Sequence, residues 1–203
     1  MKARYFKENR VVRFIWRHAA AIAGIIAAVV ILCYFANLML FQNEETVLGV
    51  AVLEQVEDGD GLEQALGQII GMEEDEKIMI QSLDTTIPAN QPIVTTWIRA
   101  GTVDLVIGTE EEIELYASAG YLTDLSVAGE KLKASEERKY MCGTAEYDDE
   151  GNVTSIGEEQ WFGVYADPIP GVDIEDPVIA LSAKMSHEEA AWAAFSELSS
   201  AKR

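Results

Sequence analysis

From Ala19 to Phe41 the chain runs AAAIAGIIAAVVILCYFANLMLF, 23 residues without a charge and with Asn37 as the sole amide. As a helix rising about 1.5 Å per residue, this stretch is roughly 34 Å long and matches a hydrocarbon core of about 30 Å. The sequence predicts one transmembrane helix. A secretory signal peptide shares the basic-then-apolar order, but its apolar core is shorter, about 7 to 15 residues, and ends at a small-x-small cleavage site. Leu40-Phe41-Gln42 has no small pair, and Leu32 occupies the position before Cys33 where a lipoprotein signal needs a small residue.

Charge orients the span. Residues 1–18 carry six basic side chains (Lys2, Arg4, Lys7, Arg10, Arg13, Arg17) against Glu8 alone, a local balance of +5. The whole chain sums to −20, so the remainder carries −25. The positive-inside rule puts the basic segment in the cytoplasm and the acidic body outside the cell membrane. The expected division is a cytoplasmic segment at 1–18, the helix at 19–41, a stalk at 42–45 and one extracytoplasmic domain at 46–203. Ala20, Gly24 and Ala28 fall four apart, a spacing that permits helix self-association and a homodimer, although an alanine-rich anchor produces it by chance as well.

Composition removes several function classes. A charge of −20 repels a phosphate backbone, so no nucleic-acid role is expected. Two cysteines and two histidines are too few for a disulfide framework, a four-thiolate zinc site or an iron-sulfur cluster, and no metal or cofactor is expected. With Cys33 in the span and Cys142 outside it, the two cannot pair, and Cys142 is left to an intermolecular bridge or a buried thiol. No EF-hand spacing survives inspection: around Gly151 the twelfth position is Gly157, and around Asp58-Gly59-Asp60-Gly61 it is Gly67. No phosphate-cradling glycine loop occurs. His187 sits among Ser186, Glu188 and Glu189 and reads as an exposed first-turn residue without a nucleophile partner.

The outer part alternates. Thr46 to Leu53 is a Val-rich apolar run, suited to a strand buried on both faces. Leu62, Ala65, Leu66, Ile69 and Ile70 recur at helical spacing between an Asp60 cap and a Gly71 stop. Lys77 to Leu83 reads as a second strand. A helix beginning near Pro92 buries Ile93, Trp97 and Ile98 and closes at Gly101. Val103 to Gly108 is a third strand, and Thr109 with Glu112 forms a capping box for a helix through Ala117. This order predicts an α/β domain, a three-layer αβα lobe with a mainly parallel sheet. Beyond Leu125, Glu130 to Tyr140 reads as helical and Glu146 to Ile156 as a hairpin. Trp161 to Tyr165 and Pro177 to Leu181 suit strands, and a last helix follows a capping box at Ser186 and Glu189.

Ala100 to Ser126 resembles the first lobe of the extracellular solute-binding proteins of ABC importers. The resemblance rests on Ala100-Gly101, on Asp104 ahead of Leu105 to Ile107, and on Gly120-Tyr121-Leu122-Thr123-Asp124-Leu125. Phe162 to Tyr165, Pro177 to Leu181 and the alanine-rich final helix resemble the returning part of the same lobe. The resemblance implies one lobe of a type 2 periplasmic binding protein, tethered to the membrane. Those proteins hold their ligand between two lobes, and the second takes about a hundred residues more.

Ligands of open α/β sheets sit at the carboxyl ends of the strands, which here gathers Glu54, Gln55, Asp84, Gly108, Thr109 and Glu110. The same residues also have structural readings, Thr109 and Glu110 as a helix cap and Asp84 as a turn. Three functions remain open on sequence. The first is a non-enzymatic accessory or binding module beside a transporter or another envelope protein. The second is a low-affinity solute-binding protein completed by dimerisation, and the third an envelope hydrolase using paired carboxylates.

Overall fold

The structure, a computed structural model, describes residues 17–18, 23, 26–34, 44–126, 132, 136–147 and 153–200. The chain divides into two compact units, Met1–Glu44 and Glu45–Arg203.

In the first unit, most of the expected span at 19–41 lies outside the described residues. Residues 26–34 within it are helical, and Ile26, Val29, Val30, Ile31, Leu32 and Tyr34 along it are exposed. Among the described residues no helix is long and apolar enough to cross a membrane.

The second unit is built on six strands: β1 (Glu45–Val52), β2 (Glu76–Ser82), β3 (Leu105–Gly108), β4 (Lys139–Tyr147), β5 (Val153–Tyr165) and β6 (Val178–Leu181). Its helices are α1 (Gly59–Ile70), α2 (Gln91–Ala100), α3 (Glu110–Ser118) and α4 (Glu188–Ser200). The strands form one sheet in the order β2-β1-β3-β6-β5-β4.

Alternation along the strands makes the layers. On β1, Leu48, Val50 and Val52 point to the face covered by α1 and α4, and pack with Leu62, Leu66, Ala191, Ala194 and Phe195. Ala51 and Leu53 point the other way, to Val94 and Ile98 of α2 and Ile113 and Tyr116 of α3. β3 and β6 divide likewise, Leu105, Ile107, Ile179 and Leu181 against Val106, Val178 and Ala180. Both faces are apolar because both are covered.

The mainly parallel sheet expected from sequence is corrected to a mixed one. β1 pairs parallel with β2 and with β3, whereas β3–β6, β6–β5 and β5–β4 are antiparallel. Connection length explains the change. Parallel neighbours need a crossover of about a dozen residues or more, usually helical. Only residues 148–152 separate β4 from β5, too few for a crossover, and the β5–β6 link carries Pro168, Pro170 and Pro177 with no helix.

Local signals set most boundaries. Gly71 and Gly101 both take φ 72° and close α1 and α2 in the left-handed region, where a side chain is strained. The Thr109 and Glu112 capping box opens α3. Four details differ from expectation. Asp58, not Asp60, caps α1, its carboxylate accepting from the Gly61 N–H at 3.0 Å. On α2 the buried residues are Val94 and Ile98, and Ile93 is exposed, because the Val94–Ile98 stripe is the one laid on Ala51 and Leu53. Where Glu130 to Tyr140 was expected to be helical, the described end is a 3-10 turn, Glu136–Arg138, and Lys139 already opens β4. The Ser186 hydroxyl donates to the Gly101 carbonyl rather than capping α4.

Cys142 is buried, and burial, then the negative charges of Glu114 and Glu159, pushes its thiol up to about 11. The thiolate is the reactive form. Alkylation of Cys142 at pH 8 is therefore expected to be about a hundredfold slower in the native chain than in the denatured one. Peptide mapping after a timed iodoacetamide pulse checks this, and equal rates would show that the thiol is accessible and ionised.

Candidate functional site

In an open α/β sheet the natural crevice lies between neighbouring strands whose following helices leave to opposite faces. Here those strands are β1, followed by α1, and β3, followed by α3. That crevice is filled by the chain itself. Leu53 continues β1 and its N–H donates to the Ile107 carbonyl at 2.9 Å. Thr85 folds over it, its N–H reaching the Leu53 carbonyl at 3.0 Å and its hydroxyl the same oxygen at 3.2 Å. The Thr85 hydroxyl also hydrogen-bonds the Glu112 carboxylate, which in turn accepts from the Thr109 N–H at 2.9 Å and hydroxyl at 3.0 Å. Thr85 and Glu112 are buried.

This plug separates the six residues picked from sequence. Gly108 lies beneath it, where an added Cβ would stand 2.8 Å from Leu53 Cδ1 and 3.1 Å from Glu112 Oε2. Thr109 is committed to the α3 cap. Glu110 ties α3 to the second half of the sheet: its carbonyl accepts from the Tyr140 hydroxyl and its carboxylate from the Tyr165 hydroxyl, each at 3.0 Å. Glu54, Gln55 and Asp84 do come together.

They line an open cleft of about 840 Å³ beside the plug, on the β1–β2 side, with Val56, Glu57, Thr86 and Asp173. Four carboxylates face this space, and among the described residues no cationic side chain lines it. Asp84 is held by a local turn in which the Thr86 N–H donates to its Oδ1 at 3.0 Å, while Asn90 Nδ2 donates to its carbonyl at 2.7 Å. Sequence reasoning stopped two residues short in the β1–α1 loop, where Val56 and Glu57 follow Gln55. Asp173 arrives from the proline-rich β5–β6 loop, and no local pattern announces it. Among the described residues no group of three His, Cys, Asp or Glu is arranged to hold a metal ion.

The cleft's electrostatics fall on Glu54. Burial first, then the negative charges of Glu112, Asp84 and Asp173, raises its carboxyl above the ordinary value of 4.5. The folded chain therefore binds a proton more readily than the unfolded chain. Stability from this group is present at low pH and is lost as pH rises from about 4.5 through the raised folded value. Glu54→Gln is expected to be more stable than the parent at pH 7, with the difference shrinking as pH falls towards 4. Urea midpoints at both pH values check this, and a destabilised variant at pH 7 would show that the carboxylate has a partner.

A second polar centre lies at the opposite, amino ends of the strands. Asp104, fully buried just before β3, accepts from the Gly49 N–H at 2.8 Å, the Ser186 N–H at 2.6 Å and the His187 N–H at 3.1 Å. Its Oδ2 also lies 2.8 Å from His187 Nδ1. His187 was expected to be exposed and unpartnered; instead its side chain is 31% exposed and docked on Asp104. The carboxylate takes the N–H groups of the two residues just ahead of α4 and so fixes the turn that leads into the helix.

No protein-family model matches the chain, and no curated protein matches it. Among solved structures it is similar to the N-glycan transport solute binding protein of Streptococcus pneumoniae, with 14% identity and a TM-score of 0.33. That similarity covers 60% of this chain and a quarter (25%) of the other.

Proposed function

We propose that this chain is a non-enzymatic, membrane-anchored binding module whose extracytoplasmic α/β domain contacts a basic protein partner of the envelope, such as a transporter subunit. The observation that carries the reading is the cleft: open, lined by Glu54, Glu57, Asp84 and Asp173, and, among the described residues, without a cationic side chain. Tight small-molecule sites are mostly apolar and bury most of the ligand. An open carboxylate-lined surface instead suits Lys and Arg side chains presented by a protein, with encounter accelerated by the domain's charge and weakened by salt. The uncharged run at 19–41 and the basic segment before it support an anchor with the domain outside.

Two experiments test this reading. A reporter fused at Arg203 is expected to signal the extracytoplasmic side, and a cytoplasmic signal would reject the topology. Calorimetry of the chain in nanodiscs against sugars, amino acids and oligosaccharides is expected to give nothing tighter than roughly 1 mM, about 4 kcal/mol. Micromolar binding would replace the reading with a solute receptor.

One observation favours a second reading. Glu54, whose carboxyl is raised, lines the same cleft as Asp84, and two carboxyl groups flanking one space are the apparatus of a paired-acid hydrolase. Turnover of glycan substrates that disappears in both Glu54→Gln and Asp84→Asn would establish it.

A further inference from the structure

The acidic cleft does not end at the loops. Val56 lines both the cleft and a second groove, about 340 Å³, between α1 and β2, whose other walls include Asp60, Glu63, Ile78 and Ile80. Among the described residues β2 is the last strand of the sheet on this side, and its outer edge has no strand partner there.

Hydrogen bonding shows which groups face outward. The Leu83 N–H turns inward, to the Val52 carbonyl at 3.0 Å. Successive backbone groups alternate along a strand, so the even-numbered residues face out. The Ile78 N–H accordingly points away from β1 and is taken by Glu63 Oε1 of α1 at 3.2 Å. Among the described residues no acceptor takes the outward N–H groups of Ile80 and Ser82. The open edge thus runs from Ile80 to Ser82 and leads, at the carboxyl end of β2, into the cleft at Asp84.

We infer that an extended basic segment of a partner protein adds as a strand to the outer edge of β2 and carries its Lys or Arg side chains along Asp60 and Glu63 into the acidic cleft. The inference rests on the partner reading above and specifies its binding mode. Main-chain hydrogen bonds supply the attachment in strand addition, and alternate side chains supply the selectivity. On the α1 side, a long basic side chain lays its aliphatic stem over Ile80 and Val56 and sends its head to Asp60 or Glu63. Charge decides against a second copy of this chain as the occupant. Its own β2 edge would bring another Asp60 and Glu63 against these, and like charges across a strand pair are destabilising.

The test uses the full chain in nanodiscs and an acetylated, amidated heptapeptide alternating Lys and Val, which presents the same pattern in either strand direction. Two further versions carry backbone N-methyl groups, one at every Lys and one at every Val, so that one of them blocks the hydrogen-bonding side of the added strand. The parent peptide is expected to bind, one methylated version to bind at least tenfold more weakly than the other, and amide exchange at Ile80 and Ser82 to slow at least tenfold on binding. Asp60→Lys is expected to weaken the parent peptide at least tenfold as well. Equal binding by both methylated versions, or unchanged exchange at Ile80 and Ser82, overturns strand addition. If binding then still disappears in Asp84→Lys, the acidic cleft remains a cation-recognising surface and only its extension along β2 fails. A parent peptide that does not bind overturns the inference, and the partner reading is then judged by cross-linking to the native membrane.

Discussion

Asp104→Asn is expected to destabilise the α/β domain by about 3 to 5 kcal/mol, a large share of the roughly 5 to 15 kcal/mol that holds an ordinary domain folded. The fully buried carboxylate takes the N–H groups of Gly49, Ser186 and His187 together with His187 Nδ1. An amide supplies one acceptor oxygen and turns an NH2 group towards donors. Each buried donor left unpaired costs about 1 to 3 kcal/mol. The loss also spreads, because the same carboxylate joins β1, the start of β3 and the amino end of α4. The urea midpoint should fall by roughly 2 M. His187→Ala should cost far less, about 1 kcal/mol, since it removes one hydrogen bond from a partly exposed ring and leaves the three backbone contacts. Similar midpoints for Asp104→Asn and the parent chain would mean that the network does not hold α4 to the sheet.

Leu105→Ala is expected to cost about 2 to 5 kcal/mol through lost burial and the cavity left behind. Leu105 is fully buried, lies opposite Val50 on β1 and Leu181 on β6, and belongs to the core under α1 and α4. It thus sits at the junction between the parallel and antiparallel halves of the sheet, where neighbours on both sides are fixed and collapse into the gap is limited. Thermal or urea unfolding of the variant checks this, and a loss below about 1 kcal/mol would show a looser core than the structure describes.

What was legible in the sequence is what is local. β1, α1, β2, α2, β3 and α3 follow from apolar period, two glycines that must take positive φ and one capping box, all of which act within a few residues. The hairpin of β4 and β5 was legible for the same reason. The place of β6 beside β3 was not, because antiparallel pairing there depends on a long proline-rich loop rather than on any pattern in Val178–Leu181. His187 misled for a related reason. Its neighbours in sequence are polar and exposed, and its partner Asp104 is 83 residues away.

The candidate site was half legible. Placing it at the carboxyl ends of the strands found Glu54, Gln55 and Asp84, but grouped them with Gly108, Thr109 and Glu110 across the crevice between β1 and β3. Thr85 and Glu112 fill that crevice, and the open space moves towards β2, leaving Gly108, Thr109 and Glu110 to structural work. Glu112 was read as one half of a capping box, which it is, and its second bond, to Thr85, has no sequence signature.

The central claim, that the acidic cleft meets a basic protein rather than a small solute, is tested most directly by a photoactivatable residue placed at Thr86, which lines the cleft and is exposed. Irradiated in the native membrane, it is expected to form one discrete adduct with a protein whose linked peptide is rich in Lys or Arg, and to lose that adduct when Asp84 and Asp173 are replaced by Lys. No adduct, or an adduct unaffected by the charge reversals, would contradict the account.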